Sequence, residues 1–106
     1  MSYSHDLVIE FQDVDPAKLE RLLALEASLG EALPHDFVDG YETGLGILNL
    51  YLNSNDPQRC FKDVLRVLEG SEYPPAAAGY RQIRHEHYVR LWPPGDPTPF
   101  VLSLSP

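Results

Sequence analysis

One pattern occurs twice in this chain and limits what it can fold into: an alternating apolar strand, then Asp-Pro, then an amphipathic helix. In the second copy Leu48, Leu50 and Leu52 alternate with Asn49, Tyr51 and Asn53, the period of two of a half-buried strand. Asp56 follows, able to accept from free helix N–H groups, and Pro57 suits the first helical position because no N–H is needed there. Cys60, Phe61, Val64, Leu65 and Leu68 then form one apolar stripe, with Gly70 placed as a left-handed stop. In the first copy Leu7, Ile9, Phe11, Asp15 and Pro16 match Leu48, Leu50, Leu52, Asp56 and Pro57 at a constant offset of 41 residues. Its helix turns Leu19, Leu22, Leu23 and Leu29 inward, with Gly30 as the expected stop.

Between the two units, Phe37, Asp39, Tyr41 and Thr43 alternate with Val38, Gly40 and Glu42, which predicts another strand. Gly44 and Gly46 supply a hairpin turn into the strand at Leu48. After the second helix, Tyr80 to Trp92 reads as one long strand. A proline-rich interruption follows, and Phe100 to Leu104 returns as a short fifth strand. The order β-α-β-β-α-β, plus β, is that of an α+β protein of the ferredoxin-like, split βαβ kind: an antiparallel sheet with two helices on one face. Residues 1–106 are expected to form one domain, large enough to bury about two-thirds of its unfolded surface.

Charge is unevenly distributed. Residues 1–56 hold eleven Asp and Glu against Lys18 and Arg21, a net of −9, and residues 57–106 hold five acids against six bases, a net of +1. A chain with a net charge of −8 repels phosphate backbones, so no nucleic-acid partner is expected. Cys60 is the only cysteine and sits on an apolar stripe, which reads as a buried, inert thiol. No run approaches the roughly 18 apolar residues of a bilayer span, and the first residues lack the pattern of a secretory signal. The expectation is a cytoplasmic protein with no membrane contact.

On the last long strand, Arg81, Ile83, His85, His87, Val89 and Leu91 share one side, and Ile83, Val89 and Leu91 turn that side toward the helices. The open side then carries Arg84, Glu86, Tyr88 and Arg90, joined by Tyr51 from the third strand. Tyr and Arg are residue types that carry interface energy, so Tyr51, Arg84, Tyr88 and Arg90 are candidate protein-binding residues. Asp36, Asp39 and Glu42, in the acidic half, are candidates for attracting a basic partner. His85 and His87, two apart on one strand, are candidate metal ligands, although two imidazoles need further ligands to complete a site. Nucleophile-elbow, zinc-protease, phosphate-loop and dinucleotide motifs are all missing, so no catalytic residue and no cofactor is assigned.

The run from Gly44 to Pro57, the capped helix after it and the later Tyr88-Val-Arg-Leu-Trp92 resemble small bacterial proteins of uncharacterised ferredoxin-like families. Some proteins of that build are immunity proteins that bind and neutralise a toxin. The resemblance implies a small non-enzymatic protein that binds another protein, such as a toxin or other basic partner, or its own copy in a homodimer. The alternative is a small-molecule or metal-binding domain, a dimeric α+β barrel enzyme using His85 and His87.

Overall fold

The computed structural model describes residues 2–69, 71 and 73–102. Its elements are β1 (His5–Phe11), α1 (Pro16–Ala32), β2 (Phe37–Gly44), β3 (Ile47–Ser54), α2 (Pro57–Leu68), β4 (Ala77–Gln82) and β5 (Val89–Trp92). The strands form one antiparallel sheet in the order β2-β3-β1-β4-β5. Each helix is a crossover that skips one strand: α1 carries the chain past β3, and α2 carries it past β1.

Both helix starts are built as their sequences require. The Asp15 carboxylate accepts from the Lys18 N–H at 2.7 Å, and that of Asp56 from the Arg59 N–H at 3.2 Å. Each cap contributes about 1 kcal/mol, and Pro16 and Pro57 occupy the first helical positions. The first stop differs from expectation, because α1 runs through Gly30 to Ala32. Gly30 is not among the glycines with positive φ. Leu29 and Leu33 are both buried, and the Leu33 N–H donates to the Leu29 carbonyl at 2.9 Å, so core packing carries the helix onward. Gly70 lies outside the described residues.

Leu7, Ile9 and Phe11 of β1 stand opposite Leu52, Leu50 and Leu48 of β3, and all six are buried under the helices. Leu22, Leu29 and Leu33 from the first helical unit and Cys60, Phe61, Val64 and Leu68 from α2 complete that layer. The amphipathic stripes meet the apolar side of the alternating strands, which is the packing their periods call for.

The expected strand from Tyr80 to Trp92 is broken. Residues 83–88 reverse the chain, with Arg84 at φ 77 and the His85 N–H donating to the Gln82 carbonyl at 3.0 Å. A left-handed arginine is an uncommon turn residue, so side-chain alternation gave no sign of it. β5 then returns along β4, with a register slip between Ala78 and Gly79. Phe100 makes a single bridge to Tyr88 instead of opening a strand, and Ser103 and Leu104 lie outside the described residues.

The sheet face away from the helices is also partly covered. Phe100 folds back onto it and is buried with Val8 and Ala77. Gly79 makes room for the ring: a Cβ there would lie 2.6 Å from Phe100 Cγ and Cδ1. Arg90 ties this return segment down, its Nε donating to the Thr98 carbonyl at 2.6 Å and its Nη1 to that of Trp92 at 2.9 Å.

Candidate functional site

Among the described residues, the second face carries a concavity of about 260 Å³ lined by Asp6, Asp39, Glu42, Tyr51, Leu52, Asn53, Arg81, Tyr88 and Leu102. Its floor is a cross-strand row, since Asp6 of β1 stands opposite Asn53 of β3 and Arg81 of β4. The Asp6 carboxylate accepts from Asn53 Nδ2 at 2.9 Å and from Arg81 Nε at 3.2 Å. The Arg81 guanidinium lies over the Tyr88 ring, 4.7 Å from its centroid, and also donates to the His85 carbonyl at 3.1 Å. Alternation along a single strand from Tyr80 to Trp92 predicts Arg81 on the helix side, but its pairing with Asp6 puts it on the second face. The turn at 83–88 removes the long strand on which that assignment depended, and β4 alone sets its direction.

One wall is acidic because of an irregularity in β2. Strict alternation puts Asp39 and Glu42 on opposite sides of the strand. The pairing with β3 slips between Val38 and Gly40, so Asp39 is an extra residue and the phase changes beyond it. Both carboxylates therefore line the same concavity. Tyr51 forms part of the floor between them and Tyr88. Its phenol is pushed above its ordinary pKa, first by burial and then by the charge of Glu42. Burial raises Tyr88 too, with the nearby Arg81 cation opposing the shift. Both phenols thus stay neutral donors at neutral pH.

Asn49 lies next along the same face, between Glu10 and Glu42. It is fully buried, and neither of its amide atoms has a hydrogen-bond partner among the described residues.

The candidate residues divide as follows. Asp39, Glu42, Tyr51 and Tyr88 come together, joined by Asp6 and Arg81, which sequence reasoning did not select. Arg84 lies apart in its turn, in a separate depression with Tyr3, Phe37 and Ile83. Arg90 is on the second face but engaged by backbone carbonyls of the return segment.

Asp36 is no part of an accessible acidic surface. Its side chain is fully buried, accepting from Arg59 Nη2 at 2.7 Å and Ser54 Oγ at 2.6 Å. The exposed-acid expectation failed because Arg59, one turn into α2, reaches back to neutralise it. Next to this cluster, Cys60 has its thiol pushed up to about 12, by burial first and by Asp36 second, so it stays protonated and unreactive.

His85 and His87 belong to the exposed turn rather than to a strand, so the shared strand face that made them a candidate metal pair does not exist. Among the described residues, no group of three or more His, Cys, Asp or Glu is gathered to hold a metal ion. No described helix is long and apolar enough to cross a membrane. Comparison with known proteins finds no matching family model, no similar curated protein and no similar solved structure.

Proposed function

We propose that this chain is a small non-enzymatic protein that binds another protein through the second sheet face, at the concavity walled by Asp39 and Glu42. The observation that carries the reading is the convergence of two exposed carboxylates with Tyr51 and Tyr88 on a surface the helices leave free. Arg81 already lies over the Tyr88 ring, so the Tyr51 ring, flanked by the Asp39 and Glu42 carboxylates, is the one that suits a partner's Lys or Arg side chain, through charge and through the ring face. The acid-rich half of the chain would draw such a partner in from a distance. Immunity-type neutralisation of a toxin is one concrete form of this role. The two crossovers, each leaving room for one strand, support reading the first four strands as a ferredoxin-like sandwich to which β5 is added.

The test is a side-by-side capture from host lysate with the wild-type chain and an Asp39→Lys/Glu42→Lys variant. A partner held by the wild type in low salt should be lost with the variant, and its association rate should fall on the order of tenfold or more. Equal capture by both chains would remove the acidic wall from the binding surface.

A further inference from the structure

β2 ends the sheet, and among the described residues no strand pairs with its outer edge. Its 8 residues would offer an unpaired row of backbone donors and acceptors about 26 Å long. Two of its large side chains are left half in water, Phe37 at 50% and Tyr41 at 43% exposure, and Leu45 in the adjoining turn is 94% exposed. From these features we propose that the outer edge of β2 accepts an extended, basic segment of a partner protein as a sixth strand. The proposal rests on the protein-binding reading above and specifies how the partner engages.

The chemistry of the occupant follows from what each side of β2 presents. On the second face an added strand would run beside Phe37, Asp39 and Glu42, so its residues pointing that way should be Lys or Arg. On the helix side it would run beside Val38, Tyr41 and Thr43, which stand opposite Leu52, Leu50 and Leu48, so the alternate residues should be apolar. A second copy of this chain is the wrong occupant. Two antiparallel β2 edges paired about Gly40 and Tyr41 would set Asp39 of one copy against Glu42 of the other, and like charges across a sheet destabilise the pairing. The acids that oppose self-pairing are the groups that favour a basic strand.

The experiment uses the whole chain and a short blocked peptide alternating Lys and Val, with affinity read by fluorescence anisotropy and contact read by amide hydrogen exchange. Two further peptides carry N-methyl groups on either the Lys or the Val nitrogens. An added strand pairs through only one of these sets, so one methylated peptide should bind like the parent and the other should lose on the order of tenfold or more. Exchange should slow in β2, and the Asp39→Lys/Glu42→Lys variant should prefer the peptide with Glu in place of Lys. The proposal is overturned if the parent peptide does not bind, if both methylated peptides behave alike, or if protection falls away from β2. It is equally overturned by a dimer through β2 in sedimentation. Charge-sensitive capture of a partner together with a failed peptide series would leave the binding role standing and remove only the added strand.

Discussion

The seat of Phe100 on Gly79 allows a sharp test of how the second face is held. Gly79→Ala adds a methyl group whose carbon would lie 2.6 Å from Phe100 Cγ and Cδ1 and 3.0 Å from its Cβ. Those atoms are at the root of the ring, so turning the ring about its Cβ–Cγ bond leaves Cγ in place, and relief requires either the whole ring to leave its seat or the return segment to move. Gly79 is not among the positive-φ glycines, so alanine introduces no backbone strain of its own. Overpacking of this kind costs about 1–3 kcal/mol, and replacing a strand glycine by alanine returns about 0.5–1 kcal/mol. The net expectation for Gly79→Ala is a loss of about 1–2 kcal/mol, or roughly 4–8 °C in Tm for each kcal/mol. Phe100→Ala should lose about 3 kcal/mol, since the ring is 4% exposed against Val8 and Ala77. With Phe100 already truncated, Gly79→Ala should become neutral or slightly stabilising, which makes the coupling between the sites about 2 kcal/mol. Urea unfolding of the four chains measures it. Additive losses would refute the reasoning, because they would mean that the cost of the methyl group has nothing to do with the ring.

Other parts of the fold make equally concrete predictions. Leu45 and Gly46 both have positive φ, at 55° and 76°, and Leu45 is 94% exposed, so Leu45→Asn should stabilise the hairpin by about 0.5–1 kcal/mol in urea melts; a loss would contradict the turn geometry. Arg59→Ala strips the buried Asp36 of its cation and should cost about 1–3 kcal/mol, discounted because the Arg59 side chain is 37% exposed, whereas Asp63→Ala should cost less than about 1 kcal/mol. Cys60 should react with a thiol reagent only as fast as the native chain opens, and labelling at free-cysteine speed would disprove its burial. With its native pKa raised to about 12 from 9.0, Cys60 keeps its proton when the unfolded chain loses it, so stability should fall as pH rises from 9.0 toward 12. A Cys60→Ala variant in which that part of the alkaline decline is undiminished would count against the assignment.

How much could be read from the residues depends on whether a feature is local or tertiary. The two Asp-Pro caps, the inward-facing apolar sets of β1 and β3 and the stripe on α2 each follow from a short stretch and a known period, and all are present. β1 is nonetheless buried on both faces and is not the half-buried strand its alternation predicts. The end of α1 is not legible at Gly30, because Leu33, beyond the glycine, is buried in the core and draws the helix on to Ala32. The break in the last strand is not legible either, because its reversal depends on an arginine in a left-handed conformation, which no composition signal marks. At the candidate site Tyr51 and Tyr88 were legible as residue types on an open face. The grouping of Asp39 with Glu42 was not, because a bulge is a matter of pairing with β3. Asp6 and Arg81 were missed for the same reason, since their pairing is set across β1 and β4. The burial of Asp36 requires knowing where Arg59 points.

The position of β1 has a consequence for how this chain reaches its native state. It is the central strand, yet neither flank is a sequence neighbour: His5 stands opposite Ser54 on one side and opposite Gln82 on the other. Each rung on the β4 flank therefore closes a loop spanning most of the chain, and loops of that kind are entered late and slowly. No half of the molecule can complete the centre of the sheet by itself. A fragment ending after α2 would leave one side of β1 bare, and a fragment starting after it would have β4 with only β5 to pair with. Two such pieces mixed in solution should find each other through β1 and β4, so that the molecule behaves as a clasp whose two arms are far apart along the thread and adjacent only when shut.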